Sequence, residues 1–421
     1  MIDVTLGIDA GSSGVRIAAR AQDGTLCALG EAAMNLPNQM KVRLLQDPQI
    51  WWQAVEKAFS GLNLDGLHVR ALAIDGTSGT ILPIDTAGNP VGLASMYNDL
   101  AENEDVDRVA AAAPKDTAAL GRSSPLARAF RMRHGAARIV HQADWLMGKF
   151  CNRFDVTDEN NALKSGFDPV AGKWPDWIAF TGFDVKLFPQ VVPVGTKIGM
   201  ITAERATQFG MPLDVAVITG TTDGCAAFLA SGASDDGDGV SSLGTTLTLK
   251  LMSATPVFAP EYGVYSHRIR DRWLAGGASN SGGKVLAQAF QKDELARLAT
   301  LIDPEKPTGF DYYPLPSIGE RFPINDPDLV PRMTPRPVDD AIYFQALLEG
   351  IAGIEAIGYR RLAQFGATPL KTIRSTGGGA LNEKWTTIRL KKLGVPHLAS
   401  ASEHAAMGTA RLAWWGIDAE N

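Results

Sequence analysis

Two aspartates stand where the neighbouring residues could put them to chemical use. Asp9 closes an apolar run and opens a loop of Gly11, Ser12, Ser13 and Gly14 in "TLGIDAGSSGVRIAA". Apolar residues then resume at every second position (Val15, Ile17, Ala19), which reads as a strand. The loop therefore joins two strands, with no helix after the glycines and no following Gly-Lys-Ser/Thr. That rules out the helix-based phosphate loops, in which a helix N-terminus meets the anion. Two readings remain: a plain Gly-Ser hairpin with a turn-favouring Asp, or a small nest of backbone N–H groups and serine hydroxyls around an anion. Asp9 would repel a bare phosphate, so the second reading calls for a divalent cation between carboxylate and phosphate.

Asp223 in "TGTTDGCAAFLASG" follows a Thr/Gly run and precedes a helical stretch. It reads as a helix N-cap, as a general base that orients a hydroxyl and takes its proton, or as both, since a helix start favours negative charge. "SLGTTLTLKL" repeats the hairpin plan around Gly244, Thr245 and Thr246. A Thr-rich strand explains it alone; paired with the first loop, it offers a second anion cradle. In "STGGGALNEKW", Gly378 and Gly379 permit close backbone approach to a flat ligand. Asn382 and Trp385 lie one helical turn apart, where an amide and an indole could hold a base. A positive-φ loop beside a core tryptophan is the plain alternative. His404 is expected to be a surface or packed histidine, the acidic run 102–107 a solvated helix face, and Trp51 and Trp52 core.

The elements that must position these residues alternate strand and helix, which predicts α/β layers. Strands are expected at 3–9 and 15–19, and "VRALAIDGTSGTILPIDTAGNPV" reads as another strand, loop and strand, the first ending at Asp75. "RDRWLAGGASNSGGKVLAQAFQK" reads as strand, loop and helix, and "KTIRSTGGGALNEKWTTIRLKKLGVPH" as the same followed by a strand. "PQIWWQAVEKAFSGL" reads as a helix with Pro near its start, and the longest helix ends near Gly366. The Pro-rich stretch 304–337 carries interleaved aromatics and is expected to be an irregular excursion.

The chain has 421 residues, too many for one ordinary core. The acidic turn "ASDDGDG" marks a boundary near 225–240, giving expected domains 1–230 and 231–421. Hydrophobic content of 45%, charged content of 20% and a net charge of −6 fit a globular protein without a nucleic-acid or anionic-membrane footprint. Cys27, Cys151 and Cys225 form no CxxC pair, which predicts a reducing compartment and no structural zinc. No stretch approaches ~18 uninterrupted apolar residues and no leader pattern opens the chain, so a cytoplasmic protein is expected.

Taken in order, "GIDAGSSGVR", "AIDGTSGTILPID", "MYNDL", "TGTTDGCAAF", "SLGTT", "GGASNSGG", "PLPSIGERFPI", "STGGGALNEKW" and "EHAAMGTA" resemble the FGGY carbohydrate kinases over nearly the whole chain. The similarity extends to the short subgroup of D-ribulose kinases and xylulokinase-like enzymes. This resemblance implies two ribonuclease H-like domains of the actin-like ATPase type with ATP and Mg²⁺ in an interdomain cleft. It implies that Asp9 lies beneath the metal–phosphate, with Asp223 as catalytic base and second carboxylate at the metal. It assigns Gly11, Ser12 and Ser13 to the first phosphate loop, where the family more often has Thr at the position of Ser12. Gly244, Thr245 and Thr246 would form the second loop, and Gly378, Gly379, Asn382 and Trp385 the adenosine pocket.

Ser78 and Asp99, with Asp9 and Asp223, fall where the family contacts sugar. Larger members show a Gln-Met-His-Gly-like loop where this chain has "DGTSGT". The activity implied is phosphorylation of a primary hydroxyl of a small ketose, D-ribulose first. Xylulose, L-ribulose, ribitol and glycerol are alternatives, and a non-catalytic nucleotide switch is a further one. The partners implied are sugar and ATP, with monomer or homodimer both open.

Overall fold

The computed structural model describes residues 1–35, 38–40 and 43–418. The chain divides into two compact units, Met1–Ala230 with His404 onward, and Ser231–Glu403. The stretch from His404 had been expected in the second unit. Its helix, Ala405–Asp418, packs instead against strands of the first unit and against the helix Asp223–Ala230.

The first unit is built on a six-stranded sheet in the order Lys197–Met200, Ala216–Thr222, Leu67–Gly76, Ile2–Ala10, Gly14–Ala21, Leu26–Ala33. The three strands 216–222, 67–76 and 2–10 run parallel. The first hairpin is antiparallel, with Ala10 opposite Val15. Large and small residues alternate along two of the central strands. Val4, Leu6, Ile8, Leu72 and Ile74 join the main core with Trp51, Trp52 and Trp145. Thr5, Gly7, Ala71 and Ala73 face the other way, where the C-terminal helix lies.

That small face lets backbone meet backbone. A Cβ on Gly7 would stand 1.9 Å from the Ala406 carbonyl oxygen, and Thr5 Oγ1 donates to the Ala410 carbonyl at 2.7 Å. The helix Gln49–Ser60 covers the opposite side of the hairpin, burying both tryptophans as expected.

The strand–loop–strand after Asp75 is not a second hairpin. Ile81–Ile84 leaves the main sheet for a separate five-stranded one, between Ala94–Ser95 and Arg138–His141. The hydroxyls of Thr77 and Thr80 bond each other at 2.6 Å across the intervening turn.

The second unit repeats the first unit's opening plan. The hairpin Asp238–Leu243 and Leu247–Ser253 is antiparallel around Gly244–Thr246, and Thr372–Thr376 runs parallel beside it. His267–Ile269 and Arg272–Ala278 complete five strands. The long helix Asp340–Gln364 forms the core of this unit. It is long and apolar enough to cross a membrane, and it is mostly buried against its own sheet. Its Glu355 makes a two-pronged ion pair with Arg389, both buried, and Ser375 and Ser241 complete the pairing.

The excursion 304–337 has no helix or long strand, yet it buries Tyr312, Tyr313, Leu315 and Phe322. Glu320 ties it to the sheet by accepting from Ser279 Oγ and the Asn280 N–H. The strand expected after the helix Glu383–Leu393 is reduced to a single bridge, Ile373 to His397.

Candidate active site

In the first unit, three aspartates gather at the carboxyl ends of the three parallel strands, the end at which open α/β sheets bind ligands. Asp9 and Asp75 are register partners on adjacent strands, so their side chains leave the sheet on the same face. Asp223 begins the helix that follows the third strand, Ala216–Thr222. It is the first helical residue, one position beyond the N-cap expected of it. Its Oδ1 accepts the Gly224 N–H at 2.7 Å, which fixes the orientation of the carboxylate.

The electrostatics follow from crowding three acids. Asp75 is fully buried. Burial first, then the neighbouring charge of Asp9, pushes its carboxyl well above the usual range, against the Thr409 hydroxyl that donates to its Oδ2. Its Oδ1 is buried and accepts no donor, and the raised carboxyl shares a hydrogen bond with Asp9. Asp9 is raised too, by burial and then by Asp223, while a hydrogen bond with Asp75 and then the charges of Arg16 and His404 partly offset the rise. Arg16 Nη1 stands 4.0 Å from Asp9, and its Nε donates to Glu31 at 2.7 Å.

The donor set fits a hard dication. Asp9 and Asp223 supply carboxylate oxygens, and a cation there would relieve the repulsion between them. Among the described residues, no three His, Cys, Asp or Glu side chains are grouped so as to hold a metal by themselves. Mg²⁺ needs no such cage, since it keeps several waters and takes one or two carboxylates.

The first loop turns tightly, with Gly11 N–H bonded to the Gly14 carbonyl at 3.0 Å. Ser12 is half-buried and Ser13 exposed beside it. Ser78 lies just beyond the Asp75 strand, and its hydroxyl is buried without a partner. Asp99 behaves otherwise. It is fully buried, and its two oxygens accept from the Leu44 and Leu100 N–H groups, Ser95 Oγ and Arg131. Its acceptor sites are spent on holding this region together, so it is not placed to contact a ligand.

The fold brings in several polar residues that no local sequence pattern marks. Gln142 binds Thr77 through Oε1 at 2.8 Å and leaves its amide nitrogen buried and unpartnered. Asp158, Asn160 and Asn161 are all buried. Asn160 Nδ2 donates to Thr221 Oγ1 at 2.9 Å, two residues before Asp223. One signal was available in the sequence for Asp75: "GIDAG" and "AIDGT" present the same Ile-Asp pair at the end of an alternating run. His404, expected as a surface or packed residue, lies near enough to favour the Asp9 carboxylate.

In the second unit, Gly244, Thr245 and Thr246 form the hairpin turn, with both threonines exposed. The turn is braced by Gly283 N–H to the Gly244 carbonyl at 2.9 Å and Lys284 N–H to the Thr245 carbonyl at 3.0 Å. A separate cavity of about 850 Å³ in the same unit is lined by Gly378, Gly379, Asn382 and Trp385 among others. Asn382 caps the helix Glu383–Leu393, its Oδ1 accepting the Trp385 N–H at 3.0 Å. Trp385 is only 3% exposed, and its indole N–H is spent on the Leu348 carbonyl at 3.1 Å. Its ring stands behind the glycines as a wall: a Cβ on Gly379 would meet it at 2.4 Å, whereas one on Gly378 would meet nothing within 4 Å.

Residues 239–417 match the FGGY family of carbohydrate kinases, C-terminal domain. Relatives are similar over nearly the whole chain. An autoinducer-2 kinase from Yersinia enterocolitica is 23% identical, covering 99% of this chain and 86% of its own.

Among solved structures, a xyloylose kinase from Brucella ovis superposes with a TM-score of 0.87 at 20% identity, covering 99% of this chain and 91% of that one. A glycerol kinase from Plasmodium falciparum with ADP gives 0.83 at 16%, covering 99% and 90%. A xylulose kinase from Bifidobacterium adolescentis gives 0.80 at 22%, covering 99% and 93%. The fold is that of the FGGY kinases, two actin-like, ribonuclease H-like domains. The comparisons converge on a carbohydrate kinase, a phosphotransferase acting on an alcohol group. Their names span several acceptors and do not single out D-ribulose.

Proposed function

We propose that the protein is an ATP- and Mg²⁺-dependent kinase that phosphorylates a primary hydroxyl of a small ketose, with D-ribulose as first candidate and D-xylulose as the alternative. The observation that carries this reading is the gathering of Asp9, Asp75 and Asp223 at the ends of three adjacent parallel strands. Asp223 accepts the proton of the sugar hydroxyl as its oxygen bonds to the terminal phosphorus. The bond from that phosphorus to the bridging oxygen breaks, and ADP leaves. Asp9 and Asp223 would hold the Mg²⁺, which neutralises charge on the transferring phosphoryl group.

Ser12, Ser13 and the N–H groups of the first turn, with Thr245 and Thr246 of the second, offer donors to phosphate oxygens. The buried and unpartnered Ser78 hydroxyl, Gln142 amide nitrogen and Asn161 carbonyl supply a mixed set of donors and acceptors. A polyhydroxylated acceptor demands such a set, because every buried polar atom must find a partner. Asp99 is left out of that set, because Arg131 and Ser95 already occupy it. A cytoplasmic setting belongs to the same proposal and rests on the sequence, which has three cysteines and no CxxC pair.

The test is ADP release with D-ribulose, D-xylulose, L-ribulose, ribitol and glycerol side by side. D-ribulose should give the highest kcat/KM. A preference for D-xylulose replaces the first candidate with the second, and no sugar-dependent ADP release with any of them removes the kinase reading in favour of a nucleotide switch.

A further inference from the structure

We infer that the cavity of the second unit takes purine nucleotides by the shape of the ring and not by its hydrogen-bonding edge, so that GTP and ITP replace ATP as phosphoryl donors. The inference rests on the kinase reading and deepens it. The cavity wall is apolar: Leu286, Leu295, Ala296, Ala299, Phe344 and Leu348 enclose it, with the open face of Gly378 between.

Telling adenine from guanine requires fixed polar groups at the exocyclic amine or carbonyl, and most polar groups here are committed within the fold. Thr300 Oγ1 donates to the Arg297 carbonyl at 2.7 Å. Lys384 Nζ donates to the Thr300 and Ile302 carbonyls at 2.6 and 2.8 Å. The Trp385 indole N–H is held by Leu348 and Asn382 Oδ1 by the helix it caps. The carbonyls of Gly377 and Gly379 accept from Ala380 and Asn382.

The polar side-chain groups left at the rim are the Asn382 amide nitrogen and two exposed chains of opposite charge, Lys292 and Glu383. Both chains can turn toward either purine. A pocket of this kind discriminates weakly, whereas a site built to bond a particular edge rejects the wrong partner by about 10⁴–10⁵.

The experiment measures kcat/KM for ATP, GTP and ITP with the preferred sugar, and the Kd of ADP and GDP by titration calorimetry. Ratios of the guanine and hypoxanthine nucleotides to the adenine one within a factor of about 100 support the inference, and larger ratios overturn it. If no nucleotide supports transfer, the kinase reading falls while the Kd ratio still decides the cavity. Failure of both diphosphates to bind overturns the inference. Gly378→Leu, which fills the cavity, should weaken ADP and GDP in parallel, and a loss confined to ADP would reveal an edge contact and overturn it as well.

Discussion

The hydroxyl of Thr409 donates to the buried carboxyl of Asp75, across 334 positions of sequence. This bond ties the C-terminal helix to the strand that carries the middle aspartate of the site. It supplies the donor to a carboxyl whose other oxygen accepts none. Removing that donor leaves a buried polar group unsatisfied, which costs about 1–3 kcal/mol. Thr409→Val should lower stability by that amount in urea denaturation, and Thr409→Ser should restore most of it. Equal loss in both variants would assign the effect to packing and not to the bond.

Asp223→Asn keeps the size of the side chain and its contact with Gly224 while removing the base. It should lower kcat by about 10²–10⁴-fold, the usual worth of acid–base assistance, and leave ADP binding close to wild type. Turnover near the wild-type rate would sink the assignment of Asp223 as base.

The two glycines of the cavity should respond differently to the same methyl group. Gly379→Ala places a Cβ 2.4 Å from the Trp385 ring, which is locked by its bond to Leu348. The KM for ATP should rise and stability should fall by about 1–3 kcal/mol, the usual cost of overpacking. Gly378→Ala meets nothing within 4 Å and should be tolerated. Indistinguishable ATP kinetics and melting for the two variants would contradict this geometry.

Asp158 offers a pH test away from the catalytic acids. Burial, then the charge of Asp144, raises its carboxyl from 3.8 to about 6. The native state therefore holds a proton between those values that the unfolded chain has lost. This group's contribution to stability falls as pH rises from about 4 to about 6 and stays low above that. Asp158→Asn abolishes the titration, and the variant can keep its local bonds if Asn161 turns its unpartnered carbonyl oxygen toward the new amide. Stability of the variant relative to wild type should be greatest above pH 6 and should decline toward pH 4. A difference that does not vary with pH between 4 and 8 would refute the shifted carboxyl.

Much of this was legible one segment at a time. The alternation in "TLGIDAGSSGVRIAA" gave both strands and the turn, because a strand has period two and glycines mark where the chain reverses. The long helix was legible from its length and its terminal glycine. The buried pairing of Glu355 with Arg389 was not, because neither residue lies in a pattern that demands a partner and only the packed unit brings them together. Asp99 shows the converse. A carboxylate at a ligand-contacting position of the family looked available in the sequence, but in the fold Leu44 and Arg131 from distant segments, with Ser95 and Leu100 beside it, donate to it.

By itself, then, the sequence determined the local geometry: which residues turn, which alternate, and that Asp9 stands at the mouth of a hairpin loop. Periodicity and backbone freedom are properties of adjacent residues and can be read from them. Only the tertiary structure decided that Asp75 joins Asp9 and Asp223, that Thr409 returns from the far end of the chain to hold it, and that Trp385 is a wall and not an open face. Those facts depend on burial and on hydrogen-bond partners distant in sequence, and both arise only when the sheet and its helices close over one another.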